Sequence, residues 1–500
     1  MKFNVKGQLI QTTPKFETID TYIVFGLCIV SFWTHLWIIQ HPAHVTFDEV
    51  HFGNFTNWYT QSRFFFDIHP PLGKLIMFLM ANLSEYDGNI HFENDTGSAY
   101  SEGTYVPLRI TPAFFSSMCS PLLYLAMRFS SFSKCASFAA ASLVCFDTSL
   151  LCEGRFILSD GLLHFFTCLH ILIFCYGFSI PRDTFEFRLW QFLSGLSLGA
   201  ACSCKNTAWG LCALNGLYHI MELYCQHNSI TPQFVSELII RGLTLGLTAI
   251  SVYFISFIIH FALLPYTGQG TGYLNEEMKK QLVDTNLIGH QIWGVRVSGH
   301  SLIWRSVMLS VIMHTGNMHI TQFHPYQSRP IAWPLLNDIR VAFFLNGNQE
   351  VACMGNVFSY YLAFFGVWAV LFGKNHKKWL ISLRFTIGWA VSYFPFFLIP
   401  RSMYLYHYLI PLMFGCLSFG ACIDLYLPKF LRGFVSVITC FLAFSGFFLW
   451  SSYCYGTPAY DKRVTIWNQN WIHGDSVHQR LSRESGNSKG QIDTKGVLVI

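Results

Sequence analysis

The sequence predicts an all-α polytopic membrane protein, and three observations carry that reading. Charged residues make up only 12% of the 500 residues, against roughly a quarter in soluble domains, while hydrophobic residues reach 52%. Mean hydropathy is +0.38, more apolar surface than a soluble fold can hide. Apolar windows of about 20 residues, each long enough to cross a bilayer as a helix, recur along the chain.

Eleven such windows are read, at approximately 20–41, 105–127, 135–151, 157–178, 190–204, 206–225, 238–264, 356–373, 379–399, 403–426 and 430–451. The first is too long for a secretory leader and lacks a small-residue cleavage site, so it reads as a retained span. With a cytosolic N-terminus, the cytosolic segments carry Lys2, Lys6, Lys15, Arg128, Lys134, Arg182, Arg188, Arg241, Lys374, Lys377, Lys378, Arg384, Lys429 and Arg432. This is the basic bias expected of inward-facing loops. Three segments then face the lumen: about 42–104, 265–355 and the tail from 452.

The chain divides accordingly into a transmembrane core over 1–264 that contains the first lumenal loop, a second loop over 265–355, C-terminal helices over 356–451, and a lumenal tail over 452–500, flexible after about 475. Three N-glycosylation sequons, headed by Asn54, Asn82 and Asn94, fall in the first loop, as suits a secretory compartment. Within that loop Leu72 to Leu83 is apolar but too short to span, and reads as a segment along the membrane surface.

Composition also excludes. The net charge of +5 is small, and the basic residues are dispersed, so no nucleic-acid surface is expected. The 16 cysteines sit mostly in apolar runs without CxxC pairs or zinc-type spacing; they read as buried hydrophobes, with no metal site and no redox centre.

Chemistry concentrates where charge is otherwise scarce. Asp48 and Glu49 in FDEVHFG stand at the lumenal mouth of the first span, with His51 beside them and Asp67 and His69 in FFFDIHPPLGK. An aspartate against apolar walls has the basicity to take a hydroxyl proton; the alternative is the N-cap of a helix starting near Val50. Arg109 enters a hydrophobic helix and needs a partner, either a lipid phosphate or the headgroup region. Arg155 and Asp160 in GRFILSD, Lys205, His324 in HPYQSRP and Arg401 gather on the same side, where Arg155 and Asp160 can equally form an ion pair.

These blocks carry a resemblance. FDEVHFG, FFFDIHPPLGK, Tyr105 to Arg109, GRFILSD, HPYQSRPIAWPLL and LYHYLIPL, in that order, resemble the protein O-mannosyltransferases, membrane enzymes of the GT-C class, from about residue 20 to Trp467 and Trp471. The resemblance implies inverting transfer of mannose from dolichyl phosphate mannose to serine or threonine hydroxyls of proteins, at the endoplasmic reticulum membrane and without a metal or other cofactor. It implies Asp48 as general base, Glu49 as a group that positions the acceptor or supports the lipid phosphate, and Arg109 as the residue that holds that phosphate. His324 and Arg401 are further donor-binding positions, while His51, Asp67, His69, Arg155, Asp160 and Lys205 are supporting ones. The leaving group is an ionised phosphate, so fixed positive charge and hydrogen-bond donors serve it better than a general acid.

Two departures stand out. Relatives carry a lumenal β-trefoil MIR domain between the seventh and eighth spans, whereas here 265–355 has room only for short helices, between junctions at Gly268-Gln269-Gly270 and at Ile303-Trp304 to His324-Pro325. The chemistry should survive that loss while acceptor capture changes. His35 also stands where relatives typically carry an arginine associated with subunit pairing, which makes a homo- or heterodimer with a family member a weaker expectation. The competing readings are a GT-C transferase acting on a glycan, and a noncatalytic scaffold, partner subunit or lipid transporter. A transporter should show Gly- or Pro-broken helices in corresponding halves, and the sequence shows none.

Overall fold

The computed structural model describes residues 16–458, except 93–95, 183, 285–301, 323, 325, 338–339, 347–348, 374–375 and 377. Each apolar window contains helix, the conformation in which a segment in lipid satisfies its own backbone groups. In chain order these are α1 (Thr18–Leu36), α2 (Glu49–Thr60), α3 (Leu72–Leu83), α4 (Val106–Ser117), α5 (Cys119–Phe129), α6 (Lys134–Cys145), α7 (Thr148–Arg155) and α8 (Asp160–Gly177). There follow α9 (Phe185–Cys202), α10 (Gly210–His227), α11 (Pro232–Leu263), α12 (Glu276–Lys279) and α13 (Leu302–Met318). Strands β1 (Val341–Asn346) and β2 (Gln349–Cys353) precede α14 (Val357–Phe372), α15 (Trp379–Tyr393), α16 (Leu409–Tyr426) and α17 (Lys429–Tyr455).

Among the described residues seven helical stretches are long and apolar enough to cross a membrane, and the bent pair α6–α7 makes an eighth. The other three windows hold α9 and α10, of 18 residues each, and α14, of 16. The chain is a multi-pass membrane protein. α16 is its axis, buried at every residue but its last, whereas α11 buries only Phe234, Arg241, Ser256, Phe257, His260 and Phe261 of its 32 residues, leaving most of that helix open to lipid.

Two local features differ from expectation. No Gly or Pro marks a broken span, yet α6 and α7 meet at 55°. Asp147 makes the break: its carboxylate accepts from the backbone N–H of Ser149 and Leu150 and from the Ser149 hydroxyl, which starts a new helix at once. Nor does 265–355 hold only short helices. α13 is 17 residues long, and β1 and β2 pair as an antiparallel hairpin with a bulge between Ala342 and Phe344. Val341, Phe343, Val351, Ala352 and Cys353 are all buried, so packing against α7 and α17 sustains a hairpin that would be marginal alone.

Ion pairs tie one end of the bundle: Asp20 meets Arg128 at 2.7 Å, and Asp424 meets Lys378 at 2.6 Å and Arg432 at 2.8 Å. This brings the start of α1, the end of α5, the loop before α15, the end of α16 and the start of α17 to one side. α2, α3 and the hairpin sit at the other. There Asn54 is inside α2 with its amide donating to the Val50 carbonyl at 2.8 Å, and Asn82 is exposed in the last turn of α3. The sequon at Asn94, Lys2, Lys6, Lys15, Lys374, Lys377, Pro325, Trp467, Trp471 and the tail from 459 lie outside the described residues.

Candidate active site

The turn before α2 is assembled around Glu49. Its carboxylate accepts from Arg109 Nε at 2.7 Å and Nη2 at 2.8 Å, from the Thr46 N–H at 2.9 Å, from the Ile157 N–H at 3.0 Å and from the Tyr100 hydroxyl at 3.0 Å. Arg109 gives its remaining N–H groups to the carbonyls of Ile39, Pro42 and His44, at 3.3, 2.8 and 2.9 Å. A guanidinium has five N–H donors, and all five are used here. Glu49 and Arg109 are both fully buried. In this arrangement every Arg109 N–H is given to the protein and both Glu49 oxygens accept from protein donors. The two are positioning residues that lock the start of α2 to the first and second spans.

What they position is Asp48. Phe47 adopts φ +51°, its ring stacks on Phe343 of β1 with centroids 4.1 Å apart, and its N–H donates to the Phe343 carbonyl at 3.0 Å. Asp48 sits at the N-cap position but makes no capping bond; among the described residues its carboxylate has no hydrogen-bond partner. It is half-buried, and burial raises its pKa, with the charges of Asp160 and Asp67 adding to the rise and those of His51 and Lys205 opposing it.

The cations expected nearby divide into used and available. Lys205 pairs with both oxygens of Asp160, at 3.0 and 3.1 Å, and lies 5.2 Å from the Tyr406 ring centroid. Arg155 therefore does not pair with Asp160. It donates to the carbonyls of Thr34, His35 and Ile38 and lies over Tyr455, closing the end of α1. Asp67 is likewise engaged, in an ion pair with Lys74, whose ammonium also bonds the His69 and Pro70 carbonyls; that pair fixes the turn into α3. Arg401 donates to Asn317 and to the Ser402 carbonyl, while Nη2 keeps no hydrogen-bond partner among the described residues. Burial disfavours its charge, and the neighbouring Asp48 carboxylate supports it.

Burial disfavours the charged form of His324 and His69. His324 packs on Tyr404 at 5.2 Å and accepts the Tyr326 N–H on Nδ1, which leaves Nε2 to carry the proton; burial lowers its pKa. His69 is held well below the ordinary value by burial and by Lys205, Lys74 and Arg401, and its Nδ1 has no partner. His51 is exposed on α2, close enough to favour the ionised form of Asp48. Reasoning from sequence missed Lys74, Tyr100 and Phe343. Lys74 stood in a block already singled out, whereas nothing local marks Tyr100 or Phe343. His35 is buried and bonds Ser116 Oγ at 3.2 Å and the Ser31 carbonyl at 2.8 Å, so it faces α4.

Known proteins share this organisation. The family model for dolichyl-phosphate-mannose-protein mannosyltransferase matches residues 26–265, and the model for the C-terminal four-transmembrane region of protein O-mannosyltransferase matches 304–474. The chain belongs to the protein O-mannosyltransferase family. It is 30% identical over 333 residues to dolichyl-phosphate-mannose–protein mannosyltransferase 4 of Schizosaccharomyces pombe, covering 65% of this chain and 40% of that one. It is 34% identical over 260 residues to mannosyltransferase 3 of Saccharomyces cerevisiae, covering 51% and 34%. The chain thus spans about two fifths or less of the length of these relatives.

In structure it is similar to the Saccharomyces cerevisiae protein O-mannosyltransferase Pmt1–Pmt2 complex bound to the sugar donor, with TM-score 0.81, 17% identity and 95% of each chain covered. It is also similar to the oligosaccharyltransferase of Archaeoglobus fulgidus, at TM-score 0.50 and 10% identity over 94% of this chain and 58% of that one. The fold is that of a GT-C membrane transferase.

Proposed function

We propose that the chain transfers mannose from dolichyl phosphate mannose to serine or threonine hydroxyls of proteins at the endoplasmic reticulum membrane, with inversion. The observation that carries this reading is the Asp48 carboxylate, half-buried and without a hydrogen-bond partner among the described residues, while Glu49, Asp67 and Asp160 are each paired with a cation. As the acceptor oxygen attacks the anomeric carbon, its proton passes to Asp48. The bond from that carbon to the phosphate oxygen breaks, and dolichyl phosphate leaves with the electron pair. Arg401, with its free Nη2, and the neutral His324 meet the phosphate, and Lys205 supplies further positive charge held in place by Asp160. The lipid donor arrives laterally from the bilayer and the acceptor, as an extended segment, from the lumen.

Pairing with a second family member and independence from metal belong to the same proposal. The test is transfer of labelled mannose from dolichyl phosphate mannose to a Ser/Thr-rich peptide by the purified chain, alone and with a family partner, with chelator present. Peptide labelling that the chelator leaves unchanged supports the reading. Labelling of a glycan acceptor alone, or of nothing, overturns it in favour of a glycan transferase or a noncatalytic subunit.

A further inference from the structure

One cavity lies away from Asp48. It encloses 510 Å³ and is lined by Asn54, Trp58 and Gln61 on one face of α2, by Arg63, and by Gln269 and Thr271 in the segment after α11. Among the described residues its lining holds no acid. Carboxamides offer both donors and acceptors, which suits neighbouring hydroxyls that do the same. The half-buried Trp58 makes no hydrogen bond through its indole N–H and adds a flat apolar face, while Arg63 and Gln269 are exposed, with side chains unengaged among the described residues. A lipid would demand more apolar wall, and a phosphate more positive charge. The set fits a neutral, polyhydroxylated ring.

The cavity is joined to Asp48 by a stripe of α2. His51, Asn54, Trp58 and Gln61 follow one another at three- and four-residue spacing on one side of the helix. At about 1.5 Å per residue, Asn54 to Gln61 lies about 9 to 20 Å from Asp48 along the axis. An extended polypeptide covers that distance in about three to six residues. We infer that this cavity is a saccharide subsite that holds a mannose already attached to the acceptor polypeptide, three to six residues from the hydroxyl being modified. The inference rests on the proposed transfer reaction, whose product is the ligand named here. It makes a modified Ser/Thr-rich segment a better substrate than an unmodified one.

The test compares two synthetic peptides with a single acceptor serine, one carrying α-mannose on a threonine four residues away and one without it. KM and kcat are measured with the purified full chain, and Kd by a binding titration that needs no turnover. The mannosylated peptide should bind about fivefold more tightly and show a correspondingly lower KM, the factor one net hydrogen bond supplies. Trp58→Ala and Gln269→Ala should each remove that preference and leave kcat on the plain peptide unchanged. Asn54→Gln protein, which carries no glycan of its own at that sequon, should keep it. Equal Kd for the two peptides, with mannose placed on either side of the serine, overturns the inference, as does a preference that survives both substitutions. Binding preference without turnover of either peptide supports the subsite while overturning the transfer reaction.

Discussion

Asp48 and Glu49 are neighbours in sequence with opposite fates. Both were legible as an acidic pair at a membrane surface, but which one reacts depends on partners 50 to 110 residues away, which no local pattern encodes. Glu49 receives Arg109, Tyr100 and Ile157 and is spent, whereas Asp48 is left free. Arg109→Ala should therefore lower thermal stability by about 3–5 kcal/mol, the cost of stranding one member of a buried ion pair, and reduce kcat with it. A loss of donor affinity at unchanged melting temperature would return Arg109 to the phosphate. For Asp48 the sign runs the other way. Its folded pKa is raised, so the ionised group costs stability fully above that pKa, and the cost vanishes as pH falls below the unfolded value. Asp48→Asn should raise the melting temperature at neutral pH, and wild-type kcat should fall on the acid side at a pH above the ordinary carboxylate value of 3.8. A mutant that melts lower, or a rate that falls only below that value, contradicts this account.

The helices were the most legible elements, because a window of about 20 apolar residues in lipid has few alternatives to a helix. The two elements that escaped prediction both depend on contacts between distant segments. Asp147 breaks a span without Gly or Pro, and the hairpin exists because β1 and β2 bury Val341, Phe343 and Val351 against α7 and α17. The hairpin also reaches the site, since Phe343 stacks on Phe47 and fixes the turn that presents Asp48. Phe343→Ala should cost about 3 kcal/mol of stability and lower kcat more than it raises the donor KM. An unchanged kcat would detach the hairpin from the site.

Across the whole molecule, the site draws on segments that the sequence scatters: the turn before α2, the loop into α3, the start of α8, Lys205 in the segment after α9, His324 and Arg401. The order of blocks made the family readable, whereas the assignment of charges within it was not, because Lys205 pairs with Asp160, Asp67 with Lys74, and Arg155 with backbone carbonyls at the end of α1. Among the described residues Arg401 keeps a free edge, so Arg401→Ala should raise the donor KM by about tenfold or more, the worth of one charge-assisted hydrogen bond, and leave the melting temperature nearly unchanged. A normal donor KM would move the phosphate elsewhere. The central claim is that Asp48 takes the acceptor proton, and single-turnover mannose transfer with donor bound beforehand tests it most directly. Asp48→Asn should keep wild-type donor affinity and slow the transfer step by about a hundred- to ten-thousandfold. Transfer at the wild-type rate would contradict the account.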